Sequence, residues 1–235
     1  MEFHEVMQEL ENHGKDRTKS IYLSNGAKEP LFGVNTGDMK PMSRKIKIDQ
    51  KLAEELYATN NYDAMYFAGV IADPNAMTES DYDRWIEKAY FYMISDFVVA
   101  VTLSESDIAQ KVADKWIMSK EELKMSAGYS CYCWLLGNRM DNEFDVEKID
   151  KMLDIVRDEI HNSPNRAKFA MNYFVYVVGV SYLPLHKKAL EIAKEIGTVE
   201  ITREKKKPQI LNAYENILRD IDKGRIGFKR KYVRC

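Results

Sequence analysis

From about residue 49 onward the chain falls into pairs of helix-periodic segments, each closed by a turn signal, and this recurrence limits the fold more than any other feature. Residues 49–59 and 61–72 make one pair, parted by Asn60-Asn61 and ended by Asp73-Pro74. The next pairs are roughly 79–90 with 92–103, 105–117 with 119–136, 145–161 with 164–181, and 184–196 with 208–222. Thr78-Glu79-Ser80-Asp81 has the pattern of a capping box, Gly137-Asn138 closes the third pair, and Gly197 ends the first member of the fifth. Thr198 to Ile201 could form a short extended piece. Paired helices at intervals of about 30–45 residues are the signature of a HEAT-like α-solenoid. The expected class is therefore all-α, an α–α superhelix, curved, with an irregular helical bundle as the alternative. Several second helices are unusually apolar (Tyr62–Ala72, Ile94–Leu103, Ala127–Leu136, Phe169–Val180) and would form the inner, concave layer.

Before the pairs, residues 2–13 predict an amphipathic helix with Phe3, Val6, Met7 and Leu10 on one side. A second runs from about Asp16 to Leu23. Asn25-Gly26 and Gly33 to Gly37 make an irregular passage, and Asp38 could start a third helix, with Pro41 tolerated in its first turn. At 235 residues this is one HEAT-like repeat domain, 1–235, long enough for a substantial core.

Net charge is near zero but unevenly placed. Residues 1–162 carry 19 basic and 30 acidic side chains, whereas residues 163–235 carry 16 basic and 7 acidic. That polarity points to a basic face turned to a polyanion, against the plainer reading of an ordinary solvated surface. The segment 223–235 is a basic tail with six basic residues, no acidic ones and two glycines. Its interleaved Phe228 and Tyr232 would anchor it on the fold while it follows a phosphate backbone, the alternative being a localisation-like or merely solubilising tail. The candidate phosphate contacts are Arg166, Lys168, Lys205, Lys206, Lys207, Arg225, Lys229, Arg230, Lys231 and Arg234.

Within the second pair, Asp96 stands alone among Tyr90 to Ile94 and Phe97 to Val101. A carboxylate in an apolar helix is costly to bury without a partner or a wet surface. Tyr92, four residues earlier, would share its helical face. Asp96 either caps or solvates the end of a core helix, or presents an acid beside an aromatic platform in a groove.

Other chemistries find no support. No glycine-rich phosphate loop leads from strand to helix, and His4, His13, His161 and His186 lack ligand spacing, so structural or catalytic zinc is not expected. Cys131, Cys133 and Cys235 make no disulfide framework and read as thiols of a reducing compartment. With no basic-then-apolar leader and no bilayer-length apolar run, a cytoplasmic monomer is expected.

Four short segments, in order, resemble the bacterial DNA alkylation repair enzymes of the AlkC/AlkD type, the HEAT-like repeat DNA glycosylases. They are Phe32 to Pro41, Ile71-Ala72-Asp73-Pro74, Asp83-Arg84-Trp85 through Asp96, and Gly224 to Lys231; the likeness covers nearly the whole chain. The resemblance implies duplex DNA carrying alkylated bases as partner and excision of N3- or N7-alkylated purines with no metal or organic cofactor. It implies Asp96 as the carboxylate that supports positive charge on the sugar, which fits electrostatic stabilisation of a developing cation. It also implies Tyr92 and Tyr173 as flanking aromatics, both tyrosine where tryptophan is usual, with less area for cation–π contact. The arginine expected between Lys124 and Gly128 is absent, Met125 or Ser126 standing there. A non-catalytic DNA-binding repeat protein and a protein–protein scaffold are the alternatives.

Overall fold

Side-chain caps set where several of the helices begin. In a computed structural model that describes residues 1–202 and 207–234, Asp49 accepts from the Leu52 N–H at 3.0 Å and opens α4 (Gln50–Ala58). Asn61 accepts from Asp63 and Ala64 to open α5 (Tyr62–Ile71). Thr78 and Asp81 form the expected reciprocal capping box ahead of α6 (Glu79–Lys88). These helices follow α1 (Phe3–Asn12), α2 (Asp16–Ser24) and α3 (Thr36–Ile46). The third begins two residues before Asp38, because Asn35 turns the backbone from extended into helix. Next come α7 (Tyr92–Ile94), a π-helical turn (Ser95–Val99) and α8 (Ala100–Ser104), which together occupy the segment expected as one helix.

The described residues form two compact units, one of Met1–Ile108 with Arg234, the other of Ala109–Val233. In the first, Tyr57 of α4 lies flat on Trp85 of α6, rings 4.0 Å apart and within 2° of parallel. The Tyr57 hydroxyl donates to the Trp85 carbonyl at 2.6 Å. Asp63, buried in the first turn of α5, accepts from the N–H groups of Phe32 (2.6 Å), Gly33 (3.0 Å) and Val34 (2.8 Å). One carboxylate thus fixes the irregular passage between α2 and α3. Gly33 sits there at φ +85°, and a Cβ would lie 2.5 Å from the Lys19 nitrogen, so both conformation and space require glycine.

The second unit holds α9 (Ala109–Ile117), α10 (Glu122–Leu136), α11 (Val146–Glu159), α12 (Asn165–Ser181), α13 (His186–Ile196) and α14 (Ala213–Asp222). Helix α10 crosses α9 closely at Gly128, where a Cβ would meet the Ile117 nitrogen at 2.8 Å and the Ala113 carbonyl at 2.9 Å. Phe174 of α12 meets Tyr129 and Tyr132 of α10 edge-on, at 5.7 and 6.4 Å.

The all-α expectation holds apart from one small hairpin. Strand β1 (Val199–Ile201), at the expected extended piece, pairs antiparallel with β2 (Gln209–Leu211), Val199 opposite Leu211 and Ile201 opposite Gln209. The segment 208–222, expected as one helix, is therefore divided. Val199 and Ile201 turn inward while Glu200 is exposed, a period of two that only a strand accommodates. Helix α14 begins after Asn212, whose side chain accepts from the Glu215 N–H at 3.1 Å. Among the described residues no helix is long and apolar enough to cross a membrane, and no group of three or more His, Cys, Asp or Glu residues could hold a metal ion.

Asp63→Ala removes the acceptor of three main-chain donors at once. It is expected to lower the unfolding free energy by about 3 kcal/mol in urea denaturation. A change below roughly 0.5 kcal/mol, typical of a neutral surface substitution, would mean the passage is held by other contacts.

Candidate nucleic-acid interface

Two places draw on the expected site residues, one in each unit. In the first unit Asp96 lies in the π-helical turn, where the Ala100 N–H reaches back to the Ser95 carbonyl. Tyr92 opens α7 and Asp96 falls in the wider turn that follows it. Asp96 is 1% exposed, and its Oδ1 accepts from the Ser95 hydroxyl at 2.8 Å. It neither caps a helix end nor meets solvent. Tyr92 is partly exposed and packs edge-on against Phe91 at 4.6 Å.

The second unit contains a pocket of about 580 Å³ built from α10, α12, α14 and the C-terminal segment. Tyr173 and Tyr176, three residues apart on α12, present stacked rings 5.5 Å apart at 29°. Trp134 of α10 forms a wall, and the Arg230 guanidinium lies 5.2 Å over its ring. An Arg230 nitrogen also stands 3.5 Å from the Tyr173 hydroxyl. Tyr176 donates to Asp220 at 2.7 Å, and burial followed by this bond pushes its phenol well above the usual range. Arg225 approaches the same carboxylate at 3.7 Å. Burial likewise raises the Tyr173 phenol, so both rings stay neutral donors at ordinary pH.

The basic tail is a docked strap. Its anchors are main-chain bonds from Gly227 to the Val180 carbonyl and from Arg230 to the Gly137 carbonyl, both 2.7 Å. Asn138 donates to the Arg230 carbonyl at 2.7 Å. Phe228 and Tyr232, expected as anchors, are 61% and 69% exposed: backbone pairing, which any side chain permits, fixes the strap instead.

The expected cations divide accordingly. Lys229 donates to the Leu136 carbonyl and pairs with Asp141, each at 2.7 Å. Arg234 belongs to the first unit, pairing with Glu105 and donating to the carbonyls of Gly69 (3.0 Å) and Ala72 (2.8 Å) at the end of α5. Arg225, Arg230 and Lys231 are exposed. Arg166 lies over the Phe169 ring at 4.1 Å, Lys168 is partly buried, and Lys207 is exposed. Lys205 and Lys206 lie outside the described residues. Where an arginine was expected, Ser126 is buried with its hydroxyl toward the Arg166 carbonyl at 3.4 Å. Sequence reasoning missed Trp134, Tyr176 and Asp220 as neighbours of Tyr173; the i, i+3 tyrosine pair was the available signal.

Comparisons with known proteins agree with this architecture. A family model described as DNA alkylation repair enzyme matches residues 6–217. Uncharacterized proteins of Listeria innocua and Listeria monocytogenes are each 28% identical over 200 residues, covering 83% of this chain and 85% of theirs. A solved structure, described as from "a new family of proteins related to the HEAT-like repeat DNA glycosylases with affinity for branched DNA structures", is 68% identical with a TM-score of 0.97. The match covers all of both chains.

Arg234→Ala leaves Glu105 and the α5 carbonyls without their donor. The expected result is a loss of about 2 kcal/mol in unfolding free energy. Wild-type stability in the variant would mean that this guanidinium does not hold the end of α5.

Proposed function

This chain belongs to the DNA alkylation repair enzyme family, and we propose from that starting point that it is a DNA-binding repeat protein whose preferred ligand is branched DNA. One observation carries the reading. Arg225, Arg230 and Lys231 stand exposed beside an aromatic pocket, in a chain 68% identical to a protein described as having affinity for branched DNA. Exposed arginine and lysine supply the phosphate contacts that dominate affinity for DNA, and release of counterions makes such binding strongly salt-dependent. Aromatic rings beside them offer contact to bases that are not locked in a continuous stack. The family match ends at residue 217, inside α14, so the α10 and α12 parts of the pocket lie within the matched region, and Asp220 and the strap lie beyond it.

Excision of N3- or N7-alkylated purines by Asp96, Tyr92 and Tyr173 is the second reading, favoured by the π-helical turn at Asp96, since such turns recur at functional sites. Two features weigh against it. A carboxylate that stabilises positive charge on a sugar has to face that sugar, and Asp96 is buried with the Ser95 hydroxyl on its Oδ1. The position where the family carries an arginine holds buried Ser126 or its neighbour Met125, neither of which clamps a phosphate.

Gel-shift titration with a four-way junction and a duplex of equal length tests the first reading. The wild type is expected to bind the junction more tightly, with affinity falling steeply as salt rises. Arg225→Ala and Lys231→Ala should each reduce the salt slope by roughly 1. Equal affinity for the two DNAs would remove the branched-DNA preference, and no DNA affinity would favour a protein scaffold. On duplex containing N7-methylguanine, abasic sites are expected at no more than the spontaneous rate for the wild type and Asp96→Asn alike. Release above that rate by the wild type alone would establish excision.

A further inference from the structure

We propose that the second-unit pocket takes a single unpaired nucleotide of a DNA strand, its base stacked among Trp134, Tyr173 and Tyr176 and its phosphate met by Arg225 and Arg230. The inference rests on the DNA-binding reading and adds to it the site that would distinguish a branch from a continuous duplex. About 580 Å³ falls within the range of roughly 300–1,000 Å³ usual for small-ligand sites, far too small for a helix but sufficient for one base and its sugar. Three features suit that occupant. The Tyr173 and Tyr176 rings, stacked 5.5 Å apart at 29°, both line the cavity, and every base has a π-face to set against an aromatic ring. Arg230 lies over the Trp134 ring, so a cation already stands among the aromatic rings of the lining. Arg225 has a side chain 63% exposed beside the same cavity, free to turn from Asp220 at 3.7 Å toward a phosphate.

A base inside a continuous duplex is unavailable to such a pocket, because it is paired on one edge and stacked on both faces. Extruding it costs a few kcal/mol, least where pairing is already interrupted. A branch point supplies that interruption. Arg225, Arg230 and Lys231, exposed cations of the strap, span a short run of chain, which fits successive phosphates of a strand better than one free nucleotide.

The sequence carries its own reporter. Of the three tryptophans, Trp85 and Trp116 are fully buried, and Trp134 is the one that is partly exposed at the pocket. Titrating the full chain with tetrathymidylate is expected to quench tryptophan emission saturably, whereas Trp134→Phe should leave the residual emission unchanged by the oligonucleotide. Arg225→Ala should weaken tetrathymidylate binding roughly tenfold, and Trp134→Ala should do the same for the four-way junction. Arg225 is surface-exposed, so its variant tests the pocket even if Trp134→Ala does not fold. The proposal is overturned if tetrathymidylate causes no quenching, if quenching persists in Trp134→Phe, or if thymidine monophosphate binds as tightly as the tetramer. A wild type that binds the junction without tetrathymidylate quenching would refute the pocket and leave the branched-DNA reading standing. Quenching by tetrathymidylate without junction preference would do the reverse.

Discussion

Phe174, set edge-on against both Tyr129 and Tyr132, fixes α12 against α10, and every feature of the second unit that could meet a ligand is mounted on that contact. Each such aromatic pair contributes about 0.5–1.5 kcal/mol beyond the area it buries. The face of α12 bearing Phe174, Val175 and Val178 is wholly buried, which leaves the adjoining Tyr173 and Tyr176 only partly covered and aligned one turn apart. Helix α10 brings Trp134 to the same place because Gly128 lets it lie directly on the α9 backbone. The pocket is thus a by-product of core packing in its position, and of particular side chains in its chemistry.

The first unit depends on buried carboxylates of two different kinds. Asp63 answers three main-chain donors, so its burial is compensated and its task is architectural. Asp96 is equally buried but sits where the helix widens by one residue, with the neighbouring Ser95 hydroxyl on one oxygen. A π-helical turn forfeits regular hydrogen bonding and persists only where its surroundings fix it. The same turn lies against α5 at Gly69, where a Cβ would come within 2.6 Å of Val98. The turn that holds the acid is thus closely packed on α5.

Much of this was legible in the sequence where the signal is local. Helix pairs, the Thr78 capping box and the extended piece at 198–201 follow from periodicity and short-range hydrogen bonding, which a few consecutive residues specify. Partners distant in sequence were not legible. Residues 209–211 become a strand because Val199–Ile201 offers them an edge, and nothing within 208–222 announces that edge. The widened turn at Asp96, packed against α5 at Gly69, has no signal in its own residues. The pocket joins residues from 133 to 230, and only the Tyr173–Tyr176 spacing hinted at it.

Charge was the least faithful guide, for a reason that the strap makes plain. A helix end leaves carbonyls without intrahelical partners and carries partial negative charge, so cations gather there whatever the protein binds. Lys229 serves the end of α10 through the Leu136 carbonyl, and Arg234 serves the end of α5 through Gly69 and Ala72. These two cations are spent inside the fold, while Arg225, Arg230 and Lys231 remain outward beside aromatic rings. A count of basic residues cannot separate the two uses, because both draw on the same side chains in the same short segment. What separates them is whether the side chain is turned in onto main-chain carbonyls of the fold or left exposed at its surface. By that criterion the surface available to a polyanion is narrower than composition suggests and, in the second unit, adjoins the pocket.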